Sequence, residues 1–187
     1  MTTTLSVKSG KGLSNGVVSE LTAFFTVKPG HAEQLYAAVQ RFGAATNELD
    51  PNLRMKIGLR ELRHVIFDNG QRLLLATIFE TDWDPYIDDA ITIIGPDTFI
   101  GWMQHTVEYP YPEGGPVTAS NAEIKAFLQS RQVQAAWFHD VFSGKTMPEF
   151  IKAVQVERAF QQVLDNPEAA QALQHPALKP LLEQAAD

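Results

Sequence analysis

The sequence contains no cysteine. Disulfide frameworks, thiolate-ligated zinc, iron–sulfur clusters and thiol nucleophiles are therefore excluded, and a cytoplasmic location is the expectation that fits. No apolar run approaches the roughly 18 residues of a membrane span; the longest charge-free stretches, such as Leu21 to Val27, are of strand length. The N-terminal Met-Thr-Thr-Thr-Leu-Ser-Val-Lys-Ser-Gly-Lys-Gly has no apolar core, so no signal peptide is expected. Positive charge is in deficit, with 15 Lys and Arg against 22 Asp and Glu and a formal net charge of −7. Such a chain is poorly suited to binding a phosphate backbone, and no nucleic-acid partner is expected. Also missing are a Gly-x-Ser-x-Gly elbow, a P-loop, a Gly-x-Gly-x-x-Gly turn and a His-Glu-x-x-His helix. What is present is ordinary globular material. The 187 residues are 44% hydrophobic and 20% charged, enough to bury a real core.

Residues 1–15 are rich in Thr, Ser, Gly and Lys and read as a flexible arm, with 16–187 as a single domain. From Val17 to Val27 the residues alternate, Leu21, Ala23 and Phe25 on one parity and Glu20, Thr22 and Phe24 on the other, as in a strand with one drier face. Leu35, Val39, Phe42 and Thr46 then follow helical spacing, and Asp50-Pro51-Asn52 reads as a turn. Leu59 to Phe67 and Arg72 to Glu80 are extended runs joined through Asp68-Asn69-Gly70-Gln71, a strong hairpin signal. Asp82-Trp83-Asp84-Pro85 opens a helix that Gly95-Pro96 breaks, and Asp97 begins a second one. The segment Tyr109 to Pro116 is a loop. Ser120-Asn121-Ala122-Glu123 has capping-box spacing, as does Thr146-Met147-Pro148-Glu149. Gln134 to Phe142 is a fourth strand candidate, and Asn166-Pro167 and His175-Pro176 start short helical pieces.

The resulting order is βαββαβ with an inserted helix and a helical tail, which predicts an α+β fold of the ferredoxin-like plait type with an antiparallel sheet. At this level the sequence resembles the dimeric α+β barrel superfamily. The resemblance rests on Val27-Lys28-Pro29-Gly30-His31-Ala32-Glu33, a strand end running into a helix. It rests also on the hairpin from Val65 to Thr77, followed by Glu80-Thr81-Asp82-Trp83 and the helix with Tyr86-Ile87-Asp88-Asp89. It covers roughly residues 16–142. It implies a homodimer joined through its sheets, with a small apolar or aromatic ligand, or haem, between sheet and helices or inside the barrel. That superfamily holds cofactor-free monooxygenases, the chlorite-dismutase group, dye-decolourising peroxidases and proteins without known activity, so the fold alone selects no chemistry. An oxidoreductase or other small-molecule-binding protein is one expectation; a non-catalytic dimeric assembly module is the alternative. No cofactor is assigned. For haem, the peroxidase motif Gly-x-x-Asp-Gly is absent, the nearest run being Gly95-Pro96-Asp97-Thr98.

Candidate site residues follow from residue chemistry. Glu20, Thr22 and Thr77 on the strands are candidate ligand-binding residues; Glu61 and Arg63 share a parity on the Leu59 to Phe67 run, against Arg60, Leu62, His64 and Ile66, and either set can face outward. If Leu74, Ala76 and Ile78 face the helices, then Leu73, Leu75, Thr77 and Phe79 line the opposite face. Histidine titrates nearest neutrality, so His64, His105 and His139 are candidate bases or axial ligands. His105, close to Trp102 and Tyr109 at the entrance to the proline-rich loop, is taken as proton acceptor in an aromatic-walled cavity. Arg63 is taken as its electrostatic partner. Asp82, Asp84, Asp88 and Asp89 read as first-turn charges and a solvated helix face rather than a metal site.

Overall fold

The computed structural model describes residues 12–112 and 119–185. These fall into two compact units, one ending at Thr146 and one beginning at Met147. Residues 1–11 of the expected arm, and the Glu113 to Pro116 part of the expected loop, lie outside the described residues.

The first unit is α+β. Its elements are β1 (Ser14–Asn15), β2 (Val18–Thr26), α1 (Ala32–Glu48), α2 (Pro51–Ile57), β3 (Leu59–Phe67), β4 (Arg72–Phe79), α3 (Trp83–Ile94), α4 (Pro96–Met103), α5 (Asn121–Arg131) and β5 (Gln132–Val133). The strands form one antiparallel sheet in the order β1-β2-β4-β3, with β5 also pairing β2. Local chemistry explains most boundaries. Asp68, Asn69 and Gly70 all have positive φ, at 57°, 54° and 80°, which turns β3 tightly into β4. Gly95, at φ 99°, ends α3 and lets Pro96 begin α4 on a new axis. At α5 the Ser120 side chain accepts from Glu123 N–H while Glu123 accepts from Ser120 N–H, a complete capping box.

Three readings of the sequence are corrected. Asp50-Pro51-Asn52 starts a helix rather than a turn: the Asp50 carboxylate accepts from Asn52 N–H, and Pro51 occupies the first helical position. Gln134 to Phe142 is not a strand; only Gln132 and Val133 pair, with Ala23 and Thr22. The facing of β4 is also reversed. Register places Leu21 opposite Thr77, Ala23 opposite Leu75 and Phe25 opposite Leu73. Leu73, Leu75, Thr77 and Phe79 therefore share the buried helix-side face with Leu21, Ala23 and Phe25. Leu74, Ala76 and Ile78 lie on the outer face with Glu20, Thr22 and Phe24.

Over the inner face lie α1, α3, α4 and α5, whose Leu35, Phe42, Ile91, Trp102 and Ile124 join the strand residues in one core. Full burial of each such side chain favours folding by roughly 1.5–3 kcal/mol. Ser14 and Asn15 pair with Ser19 and Val18, and Leu13 O accepts from Glu20 N–H while Leu13 N–H donates to the Glu20 carboxylate, so the end of the expected arm is built into the sheet edge. The second unit comprises α6 (Met147–Leu164), short turns at Pro167–Ala169 and Pro176–Leu178, α7 (Ala170–Leu173) and α8 (Lys179–Ala185). Asn166 and His175 cap the two turns with their side chains. No described helix is long and apolar enough to cross a membrane.

Candidate functional site

The outer face of the sheet carries a basin of about 180 Å³ lined by Glu20, Leu21, Thr22, Glu61, Arg63, Ala76, Thr77 and Ile78, with Ala135, Trp137 and Phe138 along one wall. A β-bulge builds part of it. Leu59 pairs with Phe79 and Glu61 with Ile78, leaving Arg60 as the extra residue. The bulge switches parity, so that Leu59 and Leu62 both pack against the core while Glu61 and Arg63 face outward.

Each polar group in the basin has a defined partner. Glu20 is buried, and its carboxylate accepts from Leu13 N–H at 3.1 Å and from the Thr22 hydroxyl at 2.9 Å. Arg63 pairs with Glu61 at 3.2 Å at the exposed rim. The aromatic wall belongs to a strap, residues 134–145, held at both ends. At its start β5 pairs with β2. At its finish Ser143 O accepts from Val17 N–H at 2.8 Å. Arg60 donates to Asp140 at 3.1 Å and to Lys145 O, while its Nε binds Glu80 at 2.7 Å. His139, expected on a strand, lies on this strap with Nδ1 3.0 Å from the Asn15 side-chain amide. Trp137 is 78% exposed although it lines the basin.

On the inner side of the same sheet is a small cavity of about 20 Å³, space for one water-sized guest. It is lined by His64, Trp102, Thr77 and Tyr86 among aliphatic and aromatic side chains. The His64 ring meets Phe42 and Trp102 edge-on, with centroids 5.1 and 5.2 Å away. Its Nε2 and the Trp102 Nε1 are both sealed without a hydrogen-bond partner. Burial pushes the His64 imidazole down to about 4, so it is neutral at physiological pH. Thr77 lines both this cavity and the basin, with its side chain buried on the inner face. Its hydroxyl donates to Glu61 O at 2.9 Å and so accepts from Tyr86 OH at 2.6 Å, while burial pushes the Tyr86 phenol above its usual range.

The structure does not bring His105 and Arg63 together. Arg63 lies opposite Ala76, which lies opposite Thr22. The His105 carbonyl instead accepts from Lys28 N–H, beyond the end of β2. Six residues of extended chain separate those levels, about 20 Å at ~3.3 Å per residue. His105 follows α4 in a turn, and its Nδ1 lies 3.1 Å from Nδ1 of His31. Trp102 is fully buried against Phe25, His64 and Phe127, and Tyr109 packs against Tyr111 and Phe127. The two aromatics therefore belong to the core beside α5, not to a cavity around His105. Asp84 and Asp88 share Lys125, at 3.3 and 2.8 Å. Among the described residues no group of three or more His, Asp or Glu is arranged to hold a metal ion.

A larger hollow of about 470 Å³ lies between the β2–α1 turn and the β3–β4 hairpin, but among the described residues Lys28 is the one ionisable side chain lining it. It therefore offers less chemistry than the basin. Of the residues lining the basin, the sequence singles out Glu20, Thr22, Thr77, Glu61 and Arg63; it passes over Trp137 and Phe138, whose segment reads as a strand. The aromatic-rich Ala135-Ala136-Trp137-Phe138-His139 was the available signal. Comparison with protein-family models, with curated proteins and with solved structures yields no match.

Proposed function

We propose that the chain is a small-molecule-binding protein of the dimeric α+β barrel type, taking an apolar or aromatic ligand in the basin on the outer face of its sheet. The fold part of this reading is a ferredoxin-like plait whose last strand is reduced to the two residues of β5. It is supported by β2 lying between β4 and β5, with β3 beyond β4 and helices over the inner face. The functional part is carried by one observation, the composition of the basin. An apolar floor of Ala76 and Ile78, a few fixed polar groups and an aromatic wall form the combination that small-molecule sites use. Glu20, Thr22, Glu61 and Arg63 orient the ligand, and Trp137 and Phe138 supply flat contact area. No imidazole lines the basin, so these residues offer positioning and charge rather than proton transfer near neutral pH.

A second reading, an assembly module that uses this sheet face, is favoured by the apolar row beside the basin. Phe24, Val65, Phe67 and Leu74 lie there on one face, half-buried or exposed, and the Arg72 guanidinium stands 5.7 and 5.6 Å from the Phe24 and Phe67 rings. Covering that row with a second copy would make the homodimer that the resemblance implies. Two measurements separate the readings. Ligand binding predicts saturable quenching of Trp137 emission by small aromatic probes, abolished in Trp137→Ala when binding is followed by equilibrium dialysis. The binding reading fails if no aromatic probe saturates the protein up to roughly 1 mM, a Kd equivalent to about −4 kcal/mol. Light scattering tests assembly: a mass of 20.7 kDa, that of one chain, at micromolar concentration removes the dimer from both readings.

A further inference from the structure

We infer that the basin selects small organic cations, an ammonium group on a flat apolar body, over neutral or anionic molecules of the same shape. The inference rests on the reading of the basin as a ligand site and names the ligand class. Three observations carry it. First, the buried carboxylate in the basin, Glu20, is held by two neutral donors, Leu13 N–H and the Thr22 hydroxyl, and among the described residues no cation pairs with it. A carboxylate has about four acceptor positions, so two bonds leave capacity for a further donor. Second, the one cation lining the basin is already engaged. Arg63 stands 3.2 Å from Glu61, and both side chains are about half exposed, where water screens them. Among the described lining residues the charges therefore sum to −1, and the one without a cation among them is Glu20, away from solvent, where a partner charge acts most strongly. Third, one wall is aromatic, and the face of an indole attracts a cation as well as an apolar ring. An ammonium donating to Glu20, with its apolar body between Trp137 and the Ala76–Ile78 floor, satisfies all three. The volume of about 180 Å³ fits a single-ring molecule and not a nucleotide.

Three probes with the same phenyl body decide the matter: 2-phenylethylamine, 2-phenylethanol and phenylacetate, each titrated against Trp137 emission excited at a wavelength they do not absorb, with Trp137→Phe as the blank. The expected result is an amine at least about tenfold tighter than the alcohol, the difference expected of one charge-assisted hydrogen bond, with phenylacetate weakest. Glu20→Gln should erase the preference, so that the amine binds no more tightly than the alcohol. If Glu20→Gln unfolds, as circular dichroism would show, Thr22→Val serves instead, because it removes a donor that orients the same carboxylate and should narrow the preference. Equal affinity for amine and alcohol, or tightest binding of phenylacetate through Arg63, overturns the cation inference and leaves the binding reading standing. Absence of binding by all three overturns both.

Discussion

Acid should destabilise the first unit through a single residue. His64 sits between Phe42 and Trp102 with its Nε2 sealed and unpartnered, and burial pushes its imidazole from 6.5 down to about 4. The unfolded chain takes up this proton near pH 6.5 and the folded chain only near pH 4. Between those values the unfolded state holds more protons, so stability falls as pH falls. Above the window neither state is protonated at this site, and below it both are, so the loss is confined to it. The width, 6.5 − 4 = 2.5, at ~1.36 kcal/mol for each pH unit amounts to about 3 kcal/mol, of which about 2 kcal/mol is lost by pH 5. The assay is urea unfolding of the wild type and His64→Leu at several values between pH 7 and 4.5. Leucine occupies a similar volume without a titrating group, and subtraction cancels the other histidines and the carboxylates. The wild type should lose about 2 kcal/mol relative to the variant between pH 7 and 5. Parallel pH profiles for the two proteins, or an NMR titration placing His64 near 6.5, would refute the argument.

Three further outcomes are expected. Thr77→Val removes the acceptor of the buried Tyr86 hydroxyl and should cost about 1–3 kcal/mol in urea unfolding, whereas Tyr86→Phe, which leaves Thr77 bound to Glu61 O, should cost about 1 kcal/mol or less. Gly70→Ala should lower stability by at least about 1 kcal/mol by differential scanning calorimetry, because φ is 80° and an added Cβ would lie 2.9 Å from Ala32 Cβ. Arg60→Leu breaks a largely buried pair with Glu80 and releases Asp140 and Lys145 O on the strap; a loss of about 3 kcal/mol and a change in Trp137 emission should appear together.

What could be read from the sequence was local. The hairpin turn, the Gly95-Pro96 break and the capping box at Ser120 each lie within four or five residues, and each formed where its turn or cap chemistry requires. The facing of β4 could not be read in this way. Leu73 to Phe79 is apolar at nearly every position, so both parities look buried, and only pairing with β2 decides which is. Gln134 to Phe142 misled for a related reason. Strand propensity needs a free edge, and residues past Val133 leave the edge of β2 to run over the sheet as a strap. Of the polar half of the basin, the outward facing of Glu20 and Thr22 was visible in the sequence, whereas that of Glu61 and Arg63 was not, because both parities of Leu59 to Phe67 mix polar and apolar residues and the bulge at Arg60 decides between them. The aromatic half was not visible either, because Trp137 reaches the basin across tertiary distance. His105 and Arg63 were linked by chemical type alone, and chain geometry separates them.

The free edge of β2 is closed from two directions. Ser14 and Asn15 cover Val18 and Ser19, while Gln132 and Val133 cover Thr22 and Ala23. The second piece arrives more than a hundred residues after β2 has left the ribosome. Until then a nascent or refolding chain can pair β2 with β4 yet still present a row of bare amides and carbonyls, open to another molecule in the same condition. The two short patches therefore act as guards against misassembly as much as braces. Cutting the chain back beyond Asn15 removes one guard, and its first symptom should be self-association during refolding rather than a large change in melting temperature.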